Sequence, residues 1–262
     1  MTAVIDDSTG LIVPQWQAPR NVRALVTTRA GGLSAGPYRS MNLGARSGDD
    51  RGTVAANRAI LRRLLPSEPA WINQAHGTVV ADADLGLPDA EADASVARRL
   101  NVVCAVLVAD CLPVLLADTS GRVVAAVHAG WRGLCAGVIE QTVEAMRVPP
   151  ATLVAWLGPC IGAAVYEVGD EVRRAFCAAD ANAAAAFAAR PNAKWLADLP
   201  LLARQRLARA GVSEVTGGGD CTFSDPRRFY SFRRDGTTGR MAAFIWRAGD
   251  AGPAAHLDNR DQ

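Results

Sequence analysis

Histidine is scarce in this chain of 262 residues, with three in all: His76, His128 and His256. A multicopper oxidase needs about ten imidazole ligands spread over several copper centres. A single blue-copper centre needs two histidines, a cysteine and usually an axial ligand. Three histidines can therefore supply one small mononuclear site at most. Lysine is scarcer still: Lys194 stands alone beside many arginines, and the formal net charge is +2. That balance argues against a dedicated nucleic-acid surface, while leaving room for a local basic pocket. The six cysteines, at 104, 111, 135, 160, 177 and 221, form no CxxC pair. No run approaches the eighteen or so apolar residues of a membrane span, so no membrane partner is expected. The first ten residues are polar, carry two aspartates and lack the order of a signal peptide. Reduced thiols and a cytoplasmic location are the expectation.

What the chain does have is apolar material, 50% of its residues against 21% charged, enough for a sizeable core. Its most organised stretch is residues 109–133, ADCLPVLLADTSGRVVAAVHAGWRG. Two apolar runs, 112–117 and 123–127, flank the turn-forming Asp118-Thr119-Ser120-Gly121, the pattern of a β-hairpin. A turn centred between Thr119 and Ser120 sets Cys111 directly opposite His128, with Cβ atoms about 4.5–5.5 Å apart. A thiolate and an imidazole so placed can share a metal ion, or act as nucleophile and base. They are equally compatible with a half-buried histidine beside a core cysteine.

Elsewhere the sequence alternates strands and helices. Residues 22–28 read as a strand that enters a glycine-rich loop, 29–37. Thr53 is the expected cap of a helix to Leu65, ended by Pro66. Short strands at 71–73 and 78–80 flank the turn that holds His76. Residues 81–93 are acidic and expected to be exposed. Residues 102–108 form a continuous apolar run, a strand buried on both faces. Leu134, Val138, Thr142 and Met146 recur at helical spacing. A strand is expected at 153–157, and helices at 167–179, 181–190 and from the cap Asp198 to Gly211. Strands are expected at 229–233 and 241–246. With no repeat and no linker, one α/β (α+β) domain over residues 22–247 is expected. An N-terminal arm, 1–21, and a polar tail, 248–262, flank it.

The strongest constellation is His76 with Cys111 and His128. Three N/S ligands with a vacant fourth position are the pattern of a catalytic zinc site, since structural sites are closed by four. Zinc in such a site lowers the pKa of bound water to about 7. Asp110 adjoins the cysteine and is a candidate for general acid/base work. The HxE…PCxxC arrangement of zinc nucleobase deaminases is absent. Gly130-Trp131-Arg132-Gly133 opens a helix, and Arg132 there is a candidate anion ligand. Arg29 and Asn42 lie on glycine-flanked loops, where binding residues concentrate. Each of these also reads as ordinary loop or helix-start chemistry.

Six segments together resemble the YfiH-like family: TTRAGGLSAGPYRSMNLG (27–44), NQAHGTVV (73–80), ADCLPVLLAD (109–118), VHAGWRG (127–133), LGPCIGAAVYEVGDEV (157–172) and FYSFRRDGTTGRMA (229–242). They run in family order over most of the chain. The family was once described as laccase-domain or multicopper polyphenol oxidase, and is now regarded as purine nucleoside phosphorylase with adenosine deaminase activity. Some bacterial members are described as peptidoglycan editing factors. The resemblance implies mixed β-sheets in a sandwich flanked by helices, similar to the catalytic domain of cytotoxic necrotising toxins. It implies a zinc site on His76, Cys111 and His128, with copper as the alternative. It implies a purine nucleoside and phosphate as partners, and a monomer or small homo-oligomer. Cys111, His128 and Asp110 are then the expected catalytic residues, with Arg29, Asn42 and Arg132 on the substrate. A metal-free Cys-His hydrolase acting on a cell-wall precursor is the competing expectation, and a copper-dependent polyphenol oxidase a weaker one.

Overall fold

A computed structural model describes residues 4–6, 10–87 and 89–249; the expected polar tail lies outside it from residue 250 onward. Two sheets dominate. In the first, the strands Val4–Asp6, Leu11–Val13, Val22–Thr27, Met241–Arg247 and Val103–Val108 are hydrogen-bonded in that order, all antiparallel. The second is mixed, with the order Glu214–Gly217, Leu153–Leu157, Leu112–Asp118, Val124–Ala129, Ala94–Ala97 and Val80–Asp82. Its two outermost pairings are parallel and the inner ones antiparallel. Residues 11–13, assigned to an arm by the sequence, are thus part of the first sheet.

The sheets pack face to face. Val106, Val108, Ala243 and Ile245 of the first meet Leu115, Ala117, Val124 and Ala126 of the second in one buried cluster. The alternate residues of the second sheet, Leu112, Val114, Leu116, Ala125 and Val127, point the other way. They are covered by the helices Val138–Met146 and Leu199–Arg209. The outer face of the first sheet, with Leu25, Ala105 and Phe244, is covered by Leu61 of the helix Arg51–Arg62. The result is a mixed α+β sandwich of two sheets between helices. Strands covered on both faces need no polar side, which is why the central ones read as unbroken apolar runs.

Several local expectations are corrected. Asp50, not Thr53, caps the first helix, and its carboxylate accepts the Thr53 N–H at 2.8 Å. The helical periodicity from Leu134 onward is cut in two by Gly137, whose φ of +103° ends one helix at Ala136 and starts the next at Val138. Residues 181–186 are a 3-10 turn followed by the strand Phe187–Arg190, so alanine richness there overstated the helix. Residues 229–233 are not a strand; Phe232–Asp235 is a single helical turn capped by Ser231.

The hairpin register also differs, by two residues. Ala117 pairs with Val124 and Pro113 with His128. The turn is longer than the sequence suggested because the buried Asp118 carboxylate accepts the backbone N–H of Arg122 at 2.5 Å and of Val123 at 2.9 Å. Burial raises the pKa of this carboxyl, but bonds from Ser120, Val123 and Arg122 outweigh it and hold the group below the usual carboxylate range. The stabilisation is present above the unfolded value, about 3.9, and is lost as pH falls through the lowered folded value. Asp118→Ala orphans these donors and should lower stability by about 1–3 kcal/mol, read as a reduced urea midpoint with an unchanged slope.

Candidate metal centre

The chain leaves the first sheet at Val108 and enters the second at Leu112. Ala109, Asp110 and Cys111 make the crossover, and Asp110 adopts a φ of +90° to do so. Cys111 therefore sits at the mouth of the hairpin. His128 lies on the next strand, one pairing step diagonal to it. A slip of two residues keeps a side chain on its face, whereas a slip of one would have turned it away. The third group, His76, comes from the turn before Val80–Asp82, at a φ of +61°.

Ligand atoms of His76, Cys111 and His128 all lie within 4.8 Å of one another. The Cys111 Sγ is 3.7 Å from the His76 Nε2. Tetrahedral zinc with Zn–S near 2.3 Å and Zn–N near 2.0–2.1 Å separates its S and N donors by about 3.6 Å. The two imidazole rings are 4.8 Å apart and nearly perpendicular, at 76°, so both can aim a nitrogen at one point. Gly130 faces the same point. A Cβ there would stand 2.6 Å from His76 Cδ2 and 3.1 Å from Cys111 Sγ. The donor set and this glycine-floored space fit one metal ion.

Asp93 holds the arrangement together. It is 1% exposed and precedes the strand Ala94–Ala97, across from His128. Its carboxylate accepts His128 Nδ1–H at 2.8 Å. It also accepts the backbone N–H groups of Ala75, His76 and Gly77 at 3.1, 2.9 and 2.6 Å. One carboxylate thus fixes the His128 tautomer, leaving Nε2 free to ligate, and clamps the loop that presents His76. Burial raises the Asp93 pKa, but the bonds from His128, Gly77 and Ala75 outweigh it and leave the group below its ordinary value. Gln74 secures the other side of the loop, exchanging two hydrogen bonds with the Leu107 backbone at 2.7 and 2.8 Å. Residues 81–93, expected to be an exposed acidic run, thus end in the buried carboxylate that organises the centre.

Without a metal, Cys111 and His128 favour each other's charged forms. Burial raises the thiol pKa, and the His128 charge and hydrogen bond, with help from His76, pull it well below the ordinary value. Burial lowers the imidazole pKa, and the Cys111 thiolate and Asp93 raise it more.

The centre opens into a cavity of about 650 Å³. Asp110 lines it, but its oxygens are engaged, one by Thr222 Oγ1 at 2.6 Å and one by the Arg233 N–H at 2.7 Å. Arg132 lines it too, its guanidinium 4.6 Å over the Trp131 ring. Arg46, Arg58, Arg233 and Arg240 join it, so the cavity is strongly basic in a chain that is nearly neutral overall. Sequence reasoning singled out Arg132 alone among these arginines, because nothing local distinguishes the others from solvated arginines.

Neither Arg29 nor Asn42 lines the cavity. Arg29 donates to the carbonyls of Arg39 and Pro226, at 2.9 Å each, and lies 4.8 Å over Tyr230. Asn42 is fully buried. Its amide donates to Ser47 and Asp49 at 2.8 and 2.9 Å, and its oxygen accepts from Gly44 and Arg240 at 3.0 and 2.8 Å. Asn42 thereby braces the backbone at Gly44 and Arg240, both of which line the cavity.

The molecule is thus a mixed sandwich with a His-Cys-His group that could hold one metal ion, at the wall of a basic cavity. Residues 23–248 match the family model described as multi-copper polyphenol oxidoreductase laccase, and the chain belongs to that family. Purine nucleoside phosphorylase YfiH of Escherichia coli (strain K12) is 52% identical over 240 residues, 90% of this chain and 98% of that protein. A purine nucleoside phosphorylase of Haemophilus influenzae is 44% identical over 241 residues, again 90% of this chain and 98% of its own. The crystal structure of a Neisseria meningitidis protein matches with a TM-score of 0.89 at 49% identity, over 92% of this chain and 100% of that one. That of a Bacillus licheniformis hypothetical protein YfiH matches with 0.86 at 27% identity, over 93% and 98%.

Proposed function

We propose that this protein is a zinc-dependent purine nucleoside phosphorylase that also deaminates adenosine. The observation that carries the reading is the His76-Cys111-His128 group at the wall of an arginine-lined cavity, in a chain whose relatives bear the phosphorylase name. Zinc suits two imidazoles and a thiolate at tetrahedral spacing. Copper in the sense of the family description needs more histidines than the three of this sequence.

Phosphorolysis forms a bond from a phosphate oxygen to the anomeric carbon of the ribose while the bond from that carbon to the base breaks. The base leaves with the bonding electrons and takes up a proton. Arg132, Arg233 and Arg240 are the groups we assign to phosphate, since guanidinium forks match its oxygens. Their charge also offsets that of the incoming nucleophile and the departing base. His76, Cys111 and His128 would hold the zinc, which would supply a Lewis acid at the cavity wall. Asp110 is the carboxylate we assign to proton transfer in deamination, its position fixed by Thr222 and Arg233. Incubation of the zinc-loaded protein with inosine and phosphate should yield hypoxanthine and ribose 1-phosphate. Cys111→Ala should abolish that yield with the far-ultraviolet circular dichroism unchanged. A zinc-loaded wild type that releases no base in phosphate would sink the reading.

One observation supports a second reading. Cys111, His128 and Asp93 form a nucleophile, base and orienting carboxylate in sequence of contact, the arrangement of a metal-free cysteine hydrolase. Such an enzyme would gain activity when stripped by chelator, whereas the phosphorylase would lose it.

A further inference from the structure

A second cavity, of about 450 Å³, is lined by Cys160, Gly162, Asp220 and Cys221 among others. Cys160 and Cys221 are partners in a parallel β-bridge. Cys160 N–H donates to the Asp220 carbonyl at 3.2 Å, and Thr222 N–H to the Cys160 carbonyl at 2.9 Å. Parallel neighbours lie about 4.8 Å apart with their side chains on one side. That falls inside the Cα separation of about 4.4–6.8 Å that a disulfide spans. Both thiols are free in this structure.

The two are chemically unequal. Cys221 is half-buried, and its Sγ accepts the Gly162 N–H at 3.2 Å. A Cβ at 162 would press on that sulfur at 3.1 Å, so glycine keeps the space beside it open. Burial raises the Cys221 pKa, but bonds from Ser224, Gly162 and Phe223 outweigh it and hold the thiol below its ordinary value. Cys160 is buried, and that burial raises its pKa well above the ordinary value. A half-buried thiol that ionises more easily than usual, beside a fully buried one, is the pairing of an attacking and a resolving cysteine.

The same two segments reach the metal cavity. Ile161, between Cys160 and Gly162, lines it, and the Ile161 N–H bonds the Asp110 carbonyl at 2.9 Å. Thr222, next to Cys221, holds the Asp110 carboxylate at 2.6 Å.

We propose that Cys160 and Cys221 are a redox-active dithiol that hydrogen peroxide closes to a disulfide, and that closure alters catalysis by moving Ile161 and Thr222 against Asp110. The Cys221 thiolate attacks the peroxide O–O bond, giving a sulfenic acid and releasing hydroxide, which is protonated to water. The Cys160 sulfur then displaces the second hydroxide, which leaves as water with the thiol proton. Two thiols and one peroxide become one disulfide and two waters. The cross-link is independent of the phosphorylase reading; only the effect on catalysis rests on it.

The test is peptide mapping of zinc-loaded full-length protein after stoichiometric hydrogen peroxide and alkylation. A linked Cys160–Cys221 peptide, lost on dithiothreitol and absent from Cys221→Ser, is the expected result. Inosine phosphorolysis should fall several-fold on closure, recover with dithiothreitol, and resist peroxide in Cys221→Ser. The proposal is overturned if both thiols stay alkylatable, if Cys221 stops at sulfinic acid, or if it links to Cys111 instead. Linkage with unchanged turnover, or equal inactivation of Cys221→Ser, overturns the effect on catalysis. Wild-type mapping decides the linkage even if the variant fails to fold.

Discussion

Asp93→Asn should cost about 10- to 100-fold in metal affinity, although Asp93 lies outside the His76-Cys111-His128 ligand group. The native carboxylate only accepts hydrogen bonds, from His128 Nδ1–H and from three successive backbone N–H groups. An asparagine amide replaces one oxygen with a donor. Facing His128, it forces the ring proton onto Nε2, the atom needed for the metal. Facing the turn, it sets donor against donor at Ala75 and Gly77 and loosens the loop that presents His76. Either orientation damages one imidazole ligand. Competition against a chromophoric chelator measures the loss, and cobalt substitution shows its kind. The thiolate-to-cobalt band should persist while the ligand-field bands change. Unchanged zinc affinity in Asp93→Asn would remove Asp93 from the centre. A fall in thermal stability with intact affinity would make it a purely structural residue.

Asp93 also marks where the sequence stopped being legible. The central strands could be read because burial on both faces leaves unbroken apolar runs, as in Val103–Val108 and Leu112–Asp118. Cys111 and His128 could be brought together because a hairpin is local, and an error of two residues in its register preserves the shared face. The helix caps Asp50 and Asp198 differ in outcome for an equally local reason. Asp198 was legible, bonding Leu201 N–H at 2.8 Å, whereas Thr53 drew attention from Asp50 three residues earlier. Asp93 was not legible because its partners are 35 residues away at His128 and 16 to 18 away in the turn. It follows a run of acidic and small residues with no strand periodicity of its own. The arginines of the cavity fail for the same reason. Arg58 on a helix and Arg240 before the strand Met241–Arg247 come together only through Leu43, whose carbonyl accepts from Arg58 at 3.0 Å and whose N–H donates to the Arg240 carbonyl at 3.0 Å. Asn42 and Arg29 drew attention for a more general reason. Glycine-rich loops often bind ligands, but here the polar side chains of the loop are spent on closing the loop itself.

Gly130→Ala should impair the centre more severely, by more than about 100-fold in metal affinity, since it affects the ligands themselves rather than their orientation. The glycine is fully enclosed and precedes the helix Trp131–Ala136, with an extended φ of −66° that any residue adopts. Backbone strain therefore gives no reason for glycine. Space does. The added methyl would stand 2.6 Å from His76 Cδ2, 3.1 Å from Cys111 Sγ and 3.2 Å from His76 Nε2. His76 is exposed and can swing out, so the chain folds at little cost and the thermal midpoint stays close to wild type. Swinging out removes one of three ligands, and the methyl covers part of the place the ion would take. Zinc titration followed by calorimetry should show the loss, while Cys111 becomes fully alkylatable at neutral pH because no metal protects its thiolate. Gly133→Ala is the informative companion. Its methyl would strike the Gly77 carbonyl at 2.6 Å, backbone that cannot rotate away. It should therefore lose stability together with metal, by pushing the His76 turn off the helix start. If Gly130→Ala binds zinc like the wild type, the ion does not sit between these three side chains.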